Sequence, residues 1–290
     1  MSGIRLIESF SKGLSGCKLS ISSDGSIVTK TSASLKYNER LVKQIEKQKA
    51  FKELPLNRIK CPSVLSEGTD NDLLKYFTME YAGGKMYTYF LNYSSPSEVS
   101  FFISSIISYF ESIKGTSIEY TDEQFIDLCT DKIKSIKEYL PNPEFIKYLE
   151  NRILLCRNVR IPLSFCHGDL TLSNILFGKE ELFFLDFLDS YIESWVLDLV
   201  KLKQDLFYLW SIERDLELSN FRAIQVSLKI WGEIEKNYYE KTNSEEFKIL
   251  EVLNFLRIYP YIKKEEDLLI IDKILKKLPL YEEFNSSDVR

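Results

Sequence analysis

The stretch from Cys166 to Val200 constrains this chain more than any other. Ile175–Phe177 and Leu182–Leu185 are short, apolar and β-prone, and Gly178–Glu181 breaks the run between them. That pattern predicts a hairpin. Just outside its two ends stand Asp169, Asn174 and Asp186. A hairpin brings its ends together, so a carboxylate, a carboxamide and a second carboxylate are expected to converge. Mg²⁺ takes hard oxygen ligands in an octahedral array, keeps some waters and accepts phosphate oxygens at the remaining positions. Asn174 and Asp186 are therefore candidate metal ligands, and Asp169 is the candidate acceptor of a hydrogen bond from an attacking hydroxyl. Asp and Asn are also common turn residues, but three of them set around one hairpin ask for more than turn chemistry.

His167-Gly168-Asp169-Leu170, Asn174 and Leu185-Asp186-Phe187 together resemble the catalytic loop and metal-binding segment of the protein-kinase-like phosphotransferases. More narrowly they resemble the aminoglycoside phosphotransferase and choline kinase branch, in which glycine separates the His from the Asp. The resemblance implies an α+β, bilobal fold: a small antiparallel-sheet N-lobe with one helix, and a larger, mostly helical C-lobe. It implies that Asp169 is the catalytic base, with His167 as structural support of the loop. Asp198, in Val196-Leu197-Asp198-Leu199, matches the residue that braces the loop. It implies ATP or GTP and Mg²⁺ as cofactors.

The same resemblance organises the first 84 residues as a nucleotide-binding lobe. Asp24-Gly25 is a favoured hairpin turn, and the strand after it places Val28 and Lys30 on one face. Ile27-Val28-Thr29-Lys30 resembles the kinase strand whose lysine reaches the nucleotide phosphates, with Val28 against the purine. Gly13 and Gly16 stand where these kinases carry a nucleotide-covering loop, and glycines let amides fold around phosphate oxygens. A helix over Tyr37–Glu53 carries Leu41, Ile45 and Gln48 on one stripe. Kinases draw a carboxylate partner for the lysine from this helix, and Glu46 is the choice by spacing, with Glu39 as rival. Two further strands, Cys61–Gly68 and Leu73–Tyr81, flank the turn at Asp70-Asn71-Asp72. Residues 79–84 resemble the hinge, where main-chain groups of Glu80 and Tyr81 would meet the purine edge and Gly83-Gly84 would allow the link to flex.

Residues 85–290 read as the helical lobe, with the catalytic loop at 166–174 and the metal-binding segment at 185–188. Ser95-Pro96-Ser97-Glu98 is a capping box with Pro at the first helical position; Thr121-x-x-Gln124 begins another helix and Asn142-Pro143 a third. Further helices are expected over Leu202–Trp210, around Phe221–Tyr239 and through Leu268–Leu278. Asp205, Glu213, Asp215 and Glu217, with Trp195, Tyr208, Trp210 and Trp231, are where acceptor selectivity is sought, although core or solvated-face roles account for most of them.

Two departures separate the chain from protein kinases. No lysine follows Asp169 at the second position, and too little chain separates Asp186 from Asp198 for a segment that cradles a peptide. The acceptor is thus expected to be a small molecule with a hydroxyl: an aminoglycoside, an amino alcohol or, preferred, a sugar or polyol. The other class of reading is a pseudokinase-like nucleotide-binding scaffold without turnover.

Composition narrows the setting. The net charge is −5, with acids and bases interspersed, so no basic footprint argues for nucleic acid. No apolar run approaches the roughly 18 residues of a membrane span, and the first residues lack the apolar core of a secretory signal. Five scattered cysteines without a Cys-x-x-Cys fit a reducing cytoplasm. A single histidine excludes any multi-histidine metal site.

Overall fold

A computed structural model describes residues 5–6, 16–115, 118–214 and 220–287. It is an α+β protein: a small antiparallel sheet near the N-terminus, followed by a mostly helical remainder. Two compact units emerge from the packing.

The first unit comprises Met1–Phe90, His167–Asp169 and Ser173–Asp189. By packing, the loop and hairpin residues go with the sheet, though in sequence they lie far beyond residue 84. Strands β1 (Arg5–Leu6), β2 (Lys18–Ile21), β3 (Ile27–Thr31), β5 (Val64–Thr69) and β6 (Lys75–Glu80) form an antiparallel sheet in the order β1-β2-β3-β6-β5. Gly25, at φ +76°, makes the tight β2–β3 turn, a backbone state that costs glycine nothing sterically. In the register, Lys30 lies opposite Leu19 and Phe77, and Val28 opposite Ile21 and Met79. Helix α1 (Asn38–Lys52) lays Leu41, Gln44, Ile45, Gln48 and Phe51 inward, and Leu41 and Ile45 pack with Phe77 to make the local core.

A second, three-stranded sheet has the order β4-β8-β7, from β4 (Ile59–Lys60), β7 (Ile175–Phe177) and β8 (Leu182–Phe184). The β7–β8 hairpin expected from the sequence is present. The parallel pairing of Ile59–Lys60 onto Leu182–Phe183 was not foreseen. Short helix α2 (Tyr87–Tyr93) begins in this unit, and its Phe90 ring stacks on Phe177 with centroids 4.0 Å apart.

The second unit comprises Leu91–Cys166, Leu170–Leu172 and Ser190–Arg290. Its described helices are α3 (Pro96–Ile113), α4 (Asp122–Ile136), α5 (Pro143–Leu154), α6 (Trp195–Leu206), α7 (Trp210–Glu213), α8 (Phe221–Asn237), α9 (Tyr239–Thr242), α10 (Glu245–Leu256), α11 (Glu265–Leu275) and α12 (Pro279–Ser287). The expected capping box forms between Ser95 and Glu98, and Thr121 and Gln124 make a second one at the start of α4. Asn142 caps α5 ahead of Pro143. Helix α6 is buried on every side, Asp198, Lys201, Lys203 and Asp205 included, and packs chiefly on α10 and α8. No described helix is long and apolar enough to cross a membrane.

Candidate active site

The hairpin gathers the polar residues at its ends through main-chain geometry. Gly168 sits at φ +86°, a conformation that strains any L side chain. That explains why glycine stands between His167 and Asp169. Beyond the turn, Leu185 N–H donates to the Asn174 carbonyl at 2.9 Å, which extends the ladder by one rung and sets Asp186 beside the start of β7. Asp186 itself is left-handed, φ +63°. A non-glycine residue is rarely held so, and such strain concentrates at functional sites.

His167 is fully buried and acts as the floor of this arrangement. Its Nδ1 accepts the Asp169 N–H at 3.2 Å, so the neutral ring carries its proton on Nε2. Its carbonyl accepts Leu188 N–H at 2.9 Å, and Phe187 packs on its ring at 4.4 Å. Burial drives the imidazole pKa down to about 4, with the nearby Asp169 and Asp186 carboxylates only partly opposing this. At neutral pH the ring is therefore uncharged, in keeping with a structural role.

Asn174 turns its amide nitrogen onto Asp169, donating to the main-chain carbonyl at 2.8 Å and to Oδ2 at 3.1 Å. This leaves the Asn174 side-chain oxygen as the face available to a cation. Asp186 is ion-paired with Lys30, and its side chain stays 38% exposed. Asp169, Asn174, Asp186 and Lys30 thus lie around one place within the first unit. Among the described residues no group of three or more His, Cys, Asp or Glu is arranged to hold a metal. Two hard oxygens, from Asn174 and Asp186, fit a Mg²⁺ that takes its other ligands from phosphates and water.

Lys30 is 5% exposed. Burial pushes its ammonium toward neutrality, but the adjacent Asp186 carboxylate outweighs that and holds the proton above ordinary lysine strength. Its other partner is Gln44 Oε1, at 2.9 Å. This corrects the choice of Glu46: that residue is exposed on α1, and so is Glu39, which faces Lys43. The buried stripe runs Leu41, Gln44, Ile45, Gln48, so position 46 points away from β3. Gln44 is in turn held by Tyr37, whose hydroxyl accepts from Nε2 at 2.9 Å. Three further α1 residues reach the segment after Asp186. Lys47 Nζ donates to the Leu188 carbonyl at 2.7 Å, and Lys43 pairs with Asp189 at 3.1 Å. Phe51 packs on Phe187 at 4.9 Å. None of these four was singled out as a site residue, yet the positions of Gln44 and Phe51 on the buried stripe were a readable signal.

The hinge differs from its expected form. Glu80 N–H donates to the Ser63 carbonyl at 3.1 Å and Tyr81 N–H to Ser26 at 2.8 Å, so both amides are already committed. The Glu80 carboxylate accepts the Ser63 N–H as well, which lowers its pKa. Ala82 carries the next amide along the chain. Gly84 serves close approach rather than flexibility: a Cβ there would come within 2.9 Å of Leu176 Cβ and 3.3 Å of Phe177 N, beside the paired hydrogen bonds of Lys85 with Phe177. Val28 is half-buried on the Lys30 strand. Gly16 has φ +69°, whereas Gly13 lies outside the described residues.

In the second unit, Asp198 is fully buried and accepts from Tyr109 Oη at 2.9 Å. Asp205 is buried too. It accepts the Leu172 N–H at 2.8 Å and the Ser211 hydroxyl at 2.8 Å, and so supports the middle of the loop from α6. Glu213 pairs with Lys273, Tyr208 donates to Glu251, and Trp195, Trp210 and Trp231 are buried. Asp215 and Glu217 lie outside the described residues. A cleft of about 630 Å³ opens elsewhere on the first unit, along Phe51, Ile59, Cys61, Phe183, Glu80 and Tyr81. Lys30, Asp169 and Asp186 do not line it.

Comparison with known proteins bears on the family and the fold. A family model described as "Phosphotransferase enzyme family" (APH) matches residues 7–224. No curated protein matches in sequence. Among solved structures, the GDP complex of aminoglycoside 2'-phosphotransferase-IIIa superposes with a TM-score of 0.61 at 14% identity, covering 94% of this chain and 92% of that one. The apo form of a thermostable mutant of aminoglycoside phosphotransferase APH(4)-Ia gives 0.62 at 11% identity, with 95% and 94% covered. The GDP and kanamycin complex of APH(2")-IIIa gives 0.56 at 12% identity, with 98% and 94% covered.

Proposed function

We propose, from the premise that this chain belongs to the phosphotransferase enzyme family, that it moves the γ-phosphoryl group of ATP or GTP to the hydroxyl of a small molecule. The observation that carries the reading is the gathering of Asp169, Asn174, Asp186 and Lys30 at one end of the β7–β8 hairpin. In the reaction the γ-phosphorus forms a bond to the acceptor oxygen as its bond to the β–γ bridging oxygen breaks. Asp169 orients the acceptor hydroxyl and takes its proton. Asn174 fixes Asp169 through its amide nitrogen and offers its oxygen, with Asp186, to Mg²⁺. When bound, that ion offsets charge on the phosphate oxygens. Lys30 grips the phosphates, Val28 lies against the purine, and Gly16 takes part in covering the phosphates. Main-chain groups of residues 79–84 would meet the purine edge, the Glu80 and Tyr81 amides being already committed. Catalysis of this kind is positioning and charge neutralisation more than covalent chemistry.

Relatives crystallised with GDP, ADP or AMP-PNP support a purine nucleotide as donor. Those holding hygromycin B or kanamycin support a hydroxyl-rich acceptor, and a sugar or polyol is the class favoured here. Five free, buried cysteines suit a reducing compartment such as the cytoplasm. The test is transfer of label from γ-labelled ATP and GTP to a panel of aminoglycosides, amino alcohols, hexoses and polyols with Mg²⁺. Labelled product from at least one class is expected. Nucleotide binding that ignores Mg²⁺, with no transfer to any member, would favour a non-catalytic scaffold.

A further inference from the structure

We propose that Gln44 makes cation uptake at Asp186 conditional on nucleotide, because it leaves Lys30 without a second carboxylate to turn to. The inference rests on the phosphotransferase reading and goes beyond it. Both ends of the Gln44 amide are committed: Oε1 accepts from Lys30 Nζ at 2.9 Å, and Nε2 donates to Tyr37 Oη at 2.9 Å. The side chain is 2% exposed. The partner that α1 offers Lys30 is therefore fixed in place and carries no charge. No other carboxylate of the helix replaces it, since Glu39 and Glu46 face solvent, and Lys43 and Lys47 add cations toward Leu188 and Asp189. Among the described residues, Asp186 is the one ionic partner of Lys30.

The consequence is a competition. A divalent cation binding Asp186 draws on the same carboxylate that neutralises Lys30, and an ammonium displaced from it would remain buried against a neutral amide. A buried charge that loses its counter-charge is strongly unfavourable. Nucleotide phosphates supply the missing negative charge, so the cation and the nucleotide favour each other's entry. A carboxylate at position 44 would keep Lys30 paired after it left Asp186, and the cation could then bind alone. Tyr37 Oη can turn to donate to that carboxylate, so Gln44→Glu satisfies the same neighbours.

The test measures Mn²⁺ binding by electron paramagnetic resonance with and without ADP, and ADP binding by calorimetry, in the full chain. Wild type is expected to take up Mn²⁺ weakly alone. Gln44→Glu should raise that nucleotide-free affinity by roughly tenfold or more, with a matching fall in the coupling between the ligands. Lys30→Met, which removes the competing ammonium, should raise it too, although it loses a phosphate contact. Unchanged Mn²⁺ affinity in both variants, with ADP still bound by wild type, would overturn the role of Gln44 alone. Failure of wild type to bind ADP would overturn the nucleotide reading as well, and this inference with it.

Discussion

His167 is the residue whose chemistry is most altered by its surroundings. Its folded-state pKa, about 4, lies below the ordinary value of 6.5 because the ring is buried. Between those values the unfolded chain binds a proton that the folded chain refuses, so stability falls as pH drops from 6.5 toward 4. The full loss from this one group is about 3 kcal/mol. A His167→Asn variant keeps an acceptor near the Asp169 N–H and cannot charge. Its denaturant midpoint should therefore vary less with pH across that window than the wild-type midpoint, and parallel pH curves would refute the assignment. At this scale the placement of Asp169 and Asn174 against each other, and of Asp186 just past the returning strand, was legible from the hairpin spacing, while their roles are proposals. The sequence misled at Glu46, where the habit of a charged partner for Lys30 outweighed helical spacing: position 44 lies one turn before Gln48 and three residues after Leu41, on the face that the structure buries. Asp205 was flagged for its charge, whereas its contact with Leu172 depends on tertiary packing that no local pattern encodes.

Elements were readable when their signals were local. The hairpin, the Ser95 capping box and the helix starts at Thr121 and Asn142 depend on a few neighbouring residues and formed where the sequence placed them. Helix α10 was not seen, because it is buried on nearly every side and shows no amphipathic stripe. Strand β4 was missed because its two residues gain meaning only from a partner far along the chain. Gly84 tests the packing between residues 84–85 and β7. A Gly84→Ala methyl would press on Leu176 Cβ and the Phe177 amide, and overpacking of this kind costs about 1–3 kcal/mol. A urea melt should show that loss. An unchanged midpoint would mean that glycine is needed there for another reason.

For the molecule as a whole, the helical unit is organised around α6, whose buried charges must be answered inside the core. Lys203 pairs with Glu251 at 2.7 Å, within reach of the Phe207, Tyr208, Trp231 and Phe247 rings, and Tyr208 Oη adds a hydrogen bond to Glu251 at 3.1 Å. Burial raises the Glu251 pKa, with Lys203 opposing. Lys203→Met should cost about 3–5 kcal/mol by stranding Glu251, and pairing it with Glu251→Leu should restore much of the loss. Equal damage in the single and double variants, read from denaturant midpoints, would contradict that account. The α+β division was legible from the change of periodicity along the chain. The return of residues 167–169 and 173–189 to the sheet-bearing unit was not, because it is a property of packing between distant segments.

The most direct test of the central claim is single-turnover phosphoryl transfer by Asp169→Asn, measured beside its nucleotide affinity and thermal midpoint. Asparagine can still accept from Asn174, so the loop and the nucleotide site should persist while the proton acceptor is lost. The account predicts a transfer rate lower by about 10²–10⁴, with nucleotide affinity and melting close to wild type. A rate within a few-fold of wild type would contradict it.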